Sequence, residues 1–288
     1  MAPDPGLVAV HQLAVGLRVV RRGRDHLQVG AYAGRRLVLP RTPVVERVLG
    51  LLTERGPLNA TTDPEAAQVL HRLVEAGCAV PVAAVHDRHG RRLRTRVGLL
   101  GSAAGSVDGV DVVALLTRAG LHRVDLLEQP ADSDVVLVVA HGEPDRALLD
   151  PLVRREVPHL LLRLVDGRAV LGPFVLPGST PCLRCLDAAQ SVPDPHHVAV
   201  TARYVGATSR PRPDGALDVC EPALSSLALA WAVRDVVAHV EGREPSTWGR
   251  TLELGPEPAD LARAAWQRHP DCGCSWPSHA VSSGKMES

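Results

Sequence analysis

Residues 133–187 read SDVVLVVAHGEPDRALLDPLVRREVPHLLLRLVDGRAVLGPFVLPGSTPCLRCLD. The apolar run from Val135 and the run from His159 are strands, and DRALLDPLVRREVP between them has helical spacing. Asp166-Gly167 is a turn joining the second run to a third, RAVLGPFVLPG. Upstream, RVGLLGSAAGS (96–106) is a buried-type strand running into small residues. VDVVALLTRAG (110–120) then reads as a helix and HRVDLLE (122–128) as another strand. Strands alternating with helices predict a mostly parallel α/β sheet. Downstream, Glu221–Glu241 is one long helix, apolar over much of its surface, as in helices buried in a core or at a subunit interface. The stretch between, Asp187–Pro222, reads as a long proline-rich loop.

The first 85 residues have a different texture. LRVVRR from Leu17, HLQVGAY from His26 and RRLVLP from Arg35 are separated by the turn signals Gly23–Asp25 and Ala33–Gly34, which predicts a small antiparallel meander. A helix follows from Arg41, with Thr42 as cap, Pro43 at its first position, Gly56 as stop, and Val44, Val48, Leu51 and Leu52 on one face. A second begins near Thr62, opened by Asp63-Pro64, with Val69, Leu70, Leu73 and Val74 as its stripe and Gly77 at its end. CAVPV returns as a strand. The layout is close to a winged helix-turn-helix. The polar, basic stretch 86–96 reads as a linker. The expected organisation is therefore a winged-helix-like module (1–85), a linker (86–96), an α/β domain (97–276) and a disordered tail (277–288).

The length of 288 residues fits two domains at roughly 150 residues each. With 45% hydrophobic and 22% charged residues, net charge zero, the composition is that of a globular protein. No apolar run reaches the ~18–20 residues of a membrane span, and the first residues lack the basic start of a signal peptide, so a cytoplasmic protein is expected. Aromatics are 2%, which excludes stacking platforms for single-stranded nucleic acid. The only lysine is Lys285. Schiff-base chemistry, a pyridoxal anchor and a P-loop lysine are thereby excluded from the ordered chain. Residues 1–92 carry 13 arginines against 8 acids, and the remainder 19 basic against 24 acidic residues. A basic N-terminal module would attract an acidic partner; two differing solvated surfaces explain the counts equally well.

Cysteines stand at 78, 182, 185, 220, 272 and 274. Cys182-Leu-Arg-Cys185 and Cys272-Gly-Cys274 form two close pairs, and two such pairs complete a tetrahedral tetrathiolate site for structural zinc. Pro181 and Pro270 stiffen the approaches, and Gly273 permits the tight turn. A redox CxxC and plain buried cysteines are the alternatives. Cys78 and Cys220 read as buried thiols, and His196-His197 as solvent-exposed. Glycines at 98, 101 and 105 give GxxGxxxG rather than GxGxxG, so packing explains this strand–turn–helix as well as phosphate binding does.

Taken together, DVVLVVAHG, the run from REVPH through GPFVLPGSTPCLRCLD, the long helix and WQRHPDCGC resemble the ThiF-like family, relatives of the ubiquitin-activating enzymes, over residues 94–276. Active members adenylate a C-terminal carboxylate. The resemblance implies a degenerate Rossmann-like domain in which Gly98, Gly101, Gly105 and Asp125, in the ribose-acid place, are vestigial nucleotide contacts. The family's asparagine–arginine and lysine set is missing here, and phosphoryl chemistry needs that positive charge, so ATP is not expected and no catalytic residue is assigned.

The module order resembles leader-peptide-binding cyclodehydratase components of thiazole/oxazole-modified peptide biosynthesis, as in bacteriocin pathways. That resemblance implies a peptide recognition element receiving a precursor's leader by β-augmentation, and a ThiF-like part that docks a YcaO-type protein. Carried over, the peptide lies against Arg36, Leu37, Val38 and Leu39 and the helix bearing Val69, Arg72 and Leu73; alternatively these apolar residues fill a small core. A homodimer is raised by the long apolar helix. Two other functions compete: an active adenylating enzyme using arginines, and a winged-helix DNA-binding regulator. DPEAAQVLHRLVEAG, with three acids and one arginine, argues against the last.

Overall fold

A computed structural model of the chain describes residues 10–54, 63–101, 105–128, 133–207, 220–257 and 261–275. The chain divides into two compact units, Met1–Gly90 and Arg91–Ser288.

The first unit contains β1 (His11–Leu13), β2 (Val19–Arg22), β3 (His26–Val29), β4 (Leu37–Pro40), α1 (Pro43–Glu54), α2 (Pro64–Glu75) and β5 (Ala79–Pro81), and it enters α3 (Val82–Arg94). β2, β3 and β4 form the expected antiparallel meander, and β1 pairs with β5. Strand alternation turns Leu27, Val29 and Leu39 inward onto Val45, Val48, Leu49 and Leu52 of α1 and Ala66, Val69, Leu70 and Leu73 of α2. Both helix starts are capped as read: Thr42 Oγ1 accepts from Val45 N–H at 3.3 Å, and Asp63 from Glu65 and Ala66 at 3.1 and 3.2 Å. The α1 face is rotated from the expected one, with Val45 and Leu49 buried and Val44 and Leu51 at its margin. Val74, expected in the α2 stripe, is 40% exposed. Gly77 ends α2 with φ +64°. Gly56 lies outside the described residues. The segment read as a linker from residue 86 is helical to Arg94, continuing the helix begun at Val82, with four arginines, good helix formers, and no buried residue.

The second unit runs β6 (Arg96–Leu100), β7 (Ser106–Val107), β8 (Val110–Asp111), α4 (Val112–Arg118), β9 (Arg123–Leu127), β10 (Val135–His141), α5 (Arg146–Arg154), β11 (His159–Val165), β12 (Arg168–Val175), α6 (Leu183–Ser191), α7 (His197–Ala207), α8 (Pro222–Val240), β13 (Arg250–Leu254) and β14 (Leu261–Ala265). Seven strands form one Rossmann-like sheet in the order β14-β13-β12-β11-β10-β6-β9. β9, β6, β10 and β11 are parallel; β12, β13 and β14 are antiparallel. The sheet is thus only half parallel, since the Asp166-Gly167 turn (φ +53° and +73°) sends the chain straight back. The stretch 187–222, read as a loop, contains the end of α6 and all of α7; its residues 208–219, like the tail from 276, lie outside those described.

Both sheet faces are covered, which is why its central strands read as unbroken apolar runs. Val135, Leu137, Val139, Leu160, Leu162 and Leu164 pack with α4 and α8. Val136, Val138 and Leu161 face the other way, with Leu149 and Leu152 of α5 and Leu183 and Leu186 of α6. α8 is long and apolar enough to cross a membrane by composition, yet it lies against β10, β11 and β12 as a core helix. Its buried Asp235 accepts from Thr247 N–H (2.9 Å), Thr247 Oγ1 (2.7 Å) and Ser246 N–H (3.0 Å), so the carboxylate fixes the turn into β13.

At the start of β11, His159 is 1% exposed and its Nδ1–H donates to Val157 O at 2.9 Å. Burial pushes its pKa down to about 4, against the opposing pull of that hydrogen bond. Between pH 6.5 and 4 the unfolded chain binds a proton there that the folded chain refuses, so stability falls as pH falls through this window. Urea titrations across that range should show wild type losing about 3 kcal/mol more than His159→Gln; parallel pH profiles would contradict a buried neutral imidazole.

Candidate functional site

The second unit gathers four cysteines. After β12, Leu176 O accepts from the N–H groups of Ser179 and Thr180, and Thr180 Oγ1 donates to Phe174 O at 2.8 Å. This turn delivers Cys182 in extended conformation at the N-cap of α6, and one helical turn on, Cys185 N–H donates to Cys182 O. The other pair comes from the segment after β14. Trp266 is tied to Thr251 Oγ1 (2.9 Å) and Arg268 Nη1 to Gly178 O (2.7 Å), and a tight turn from Gly273 to Ser275 brings in Cys274. Sγ separations are 3.8 Å (182–185), 3.6 Å (182–272) and 3.3 Å (185–274). All four sulfurs lie within 4.8 Å of one another, and it is the one such His/Cys/Asp/Glu group among the described residues. A metal–sulfur bond of about 2.3 Å in a regular tetrahedron sets sulfurs about 3.8 Å apart. The donor set fits a divalent metal.

Electrostatics agree with that fit. The thiol of Cys182, donating to Cys185, lowers the Cys185 pKa to about 4, against burial and with help from the His269 backbone N–H. Cys182 is driven up by the same bond and by burial; Cys274 is pushed up to about 12 by burial and its contact with Cys185. Without a cation the crowded sulfurs thus oppose one another's ionisation. A divalent ion removes this mutual penalty and releases protons as it binds. Around the cluster, Arg184 grips Asp150 (2.7 and 2.8 Å) and Arg146 grips Asp187 (2.9 and 2.8 Å). Cys182, Cys272 and Cys274 also border a 230 Å³ cavity with Leu149, His159 and Arg154.

The glycines lie where the sheet changes direction, with β9 and β10 on opposite sides of β6. Ligands of α/β sheets bind at the carboxyl ends of such strands. A Cβ on Gly98 would meet Leu127 at 2.5 Å; one on Gly101 (φ +87°) would meet Val139 O at 2.2 Å; one on Gly105 (φ +80°) would meet Val113 at 2.9 Å. Packing against backbone at Gly101 and the positive φ at Gly101 and Gly105 call for glycine, while a side chain at Gly98 would have to push its neighbours aside. The Asp125 side chain is 54% exposed and paired with Arg96 at 3.5 Å. Sequence reading missed the charged groups at this end. His141 Nε2 meets Asp108 at 3.2 Å, Glu143 binds both Arg163 and Arg146 at 2.7 Å, and Arg146 continues to Asp187. The signal was the lone arginine inside HLLLRLV.

Other expectations are quickly placed. In the first unit Leu39, Val69 and Leu73 are buried core residues, Leu37 and Val38 are half-buried, and Arg36 and Arg72 are exposed. Cys78 and Cys220 are buried; burial raises both thiols, that of Cys220 to about 11 with Asp108 adding to the effect, so neither is activated. His197 lies 3.6 Å from Asp187.

No family model and no curated protein matches this sequence. Solved structures do match. The heterocyclase TruD is 18% identical with a TM-score of 0.67, covering 93% of this chain and 43% of that one. A second heterocyclase, solved with substrate and cofactor, is 16% identical with a TM-score of 0.66 over 93% of this chain and 39% of its own. E. coli MccB, solved with ATP among other states, is 14% identical with a TM-score of 0.61 over 92% and 99%. The chain spans less than half the length of the heterocyclases it matches. Their fold is the fold of this chain, as the ThiF-like resemblance implies.

Purified protein should carry one divalent metal ion per chain by elemental analysis. Cys182→Ser or Cys272→Ser should lose it and several kcal/mol of stability in denaturant unfolding. Full stability with no metal would remove the site.

Proposed function

We propose that the chain is a non-catalytic, cytoplasmic peptide-binding component of a pathway making thiazole- and oxazole-modified peptides. On this reading the first unit is a winged-helix-like recognition element for a precursor's leader. The second docks a YcaO-type protein that carries the ATP-dependent cyclisation. The observation that carries it is the match to TruD, which takes in 93% of this chain, small unit and sheet alike, yet reaches only 43% of the heterocyclase. Ring formation is assigned to the part of the assembly beyond these residues.

The leader adds as a strand to β4, which pairs only with β3 among the described strands. Leu37 and Val38 meet it, Arg36 and Arg72 supply charge for an acidic sequence, and Leu39, Val69 and Leu73 hold the floor from within the core. The metal is zinc, and its role is structural, since four thiolates leave no open position. Gly98, Gly101, Gly105 and Asp125 are relics of a nucleotide site, serving packing and a surface ion pair. The alternative, ATP-dependent adenylation, draws support from the likeness to MccB, which was solved with ATP.

Reconstitution distinguishes them. A YcaO-type protein and precursor encoded beside this chain should form rings, each by loss of one water, only when the chain is added. The chain alone should catalyse no pyrophosphate exchange. Exchange above background, or ring formation indifferent to the chain, would overturn the proposal.

A further inference from the structure

The outward face of the small sheet carries a cleft of about 440 Å³ lined by Leu17, Arg18, Val20, Gln28, Tyr32 and Arg35, with glycines between them. Register explains its floor. Val19 pairs with Val29 and both turn toward the core, so Val20 and its partner Gln28 face out. The wall is held firmly. Gln28 Nε2 donates to Gly30 O at 2.8 Å, Gly30 N–H donates to Arg18 O at 3.1 Å, and a Cβ on Gly30 (φ +78°) would come within 2.0 Å of Arg35 O. The loop from Gly30 to Arg36 therefore presses onto the strand. Three apolar side chains are left in water on this part of the unit: Val15 (84% exposed), Val20 (49%) and Tyr32 (88%).

Charge identifies what belongs there. Arg41 and Arg47 of this unit are neutralised by Glu46 and Asp63. Among the described residues Arg18, Arg21, Arg24 and Arg36 meet no acidic group, while Arg22 and Arg35 donate only to the neutral oxygens of Gln28 and Gly77. Of these, Arg18 and Arg35 line the cleft and Arg22 holds its floor residue Gln28, so three guanidinium groups with no acidic partner stand at an apolar floor. Such a surface complements carboxylates flanking one apolar anchor. It suits nucleic acid less well, because the cleft offers one aromatic ring and an apolar lining rather than a row of stacking faces.

We propose that this cleft docks an acidic segment of a partner protein, seating one leucine- or phenylalanine-sized side chain between Val20 and Tyr32, with its carboxylates opposite Arg18, Arg22 and Arg35. The face is separate from the β4 edge assigned to the leader, and the proposal does not depend on that assignment.

Fluorescence anisotropy on the full chain tests it with a labelled peptide Glu-Asp-Glu-Leu-Glu-Asp-Glu and its amide counterpart Gln-Asn-Gln-Leu-Gln-Asn-Gln. The acidic peptide should bind at least about tenfold more tightly, and less so at high salt. Val20→Asp and the pair Arg18→Glu with Arg22→Glu should each weaken it about tenfold. These exposed sites should leave Tm unchanged, and Arg118→Glu, in the other unit, should have no effect. Equal binding of the two peptides, indifference to these variants, or displacement of the peptide by duplex DNA or by a second copy of the chain would overturn the proposal.

Discussion

Four thiol-bearing residues from two segments some ninety positions apart converge beneath one face of the sheet, and that convergence organises the unit around it. Buried thiolates repel one another and are poorly solvated, so four of them share a site only around a cation. Cys182 and Cys185 owe their places to the Thr180 turn and the first turn of α6; Cys272 and Cys274 owe theirs to the tie between Arg268 and Gly178. Cys182, Cys185 and Cys272 are members of the same apolar cluster as α5 and α6. A metal held by these four sulfurs would therefore stabilise the same layer as the core, and loss of either would loosen the other.

The glycine turn is organised by close packing. The strand order places a switch point between β6 and β10, where this architecture usually receives a phosphate. Here a side chain on Gly101 would collide with the β10 backbone, and the nearby Arg146 and Arg163 pair with Glu143 and Asp187.

What was legible in the sequence follows from how local each signal is. The helix caps at Thr42 and Asp63, the Asp166-Gly167 turn and the two cysteine pairs are decided within a few residues, and each stands where it was read. β13 and β14 were not legible, because RTLEL and LARAA become strands only by pairing with β12 and with each other. α7 was hidden in a stretch whose prolines argued for loop. Arg163 and Glu143 lie twenty positions apart, beyond any local pattern. At Leu39, Val69 and Leu73 an amphipathic stripe has the same appearance whether it faces a core or a ligand, and the structure places these three in the core.

X-ray absorption at the zinc edge of the purified protein tests the tetrathiolate most directly. Four sulfur scatterers at about 2.3 Å, with no nitrogen or oxygen in the shell, is the expected spectrum. A mixed or oxygen-rich shell, or no edge signal from protein prepared without chelator, would mean that the four cysteines do not jointly hold zinc.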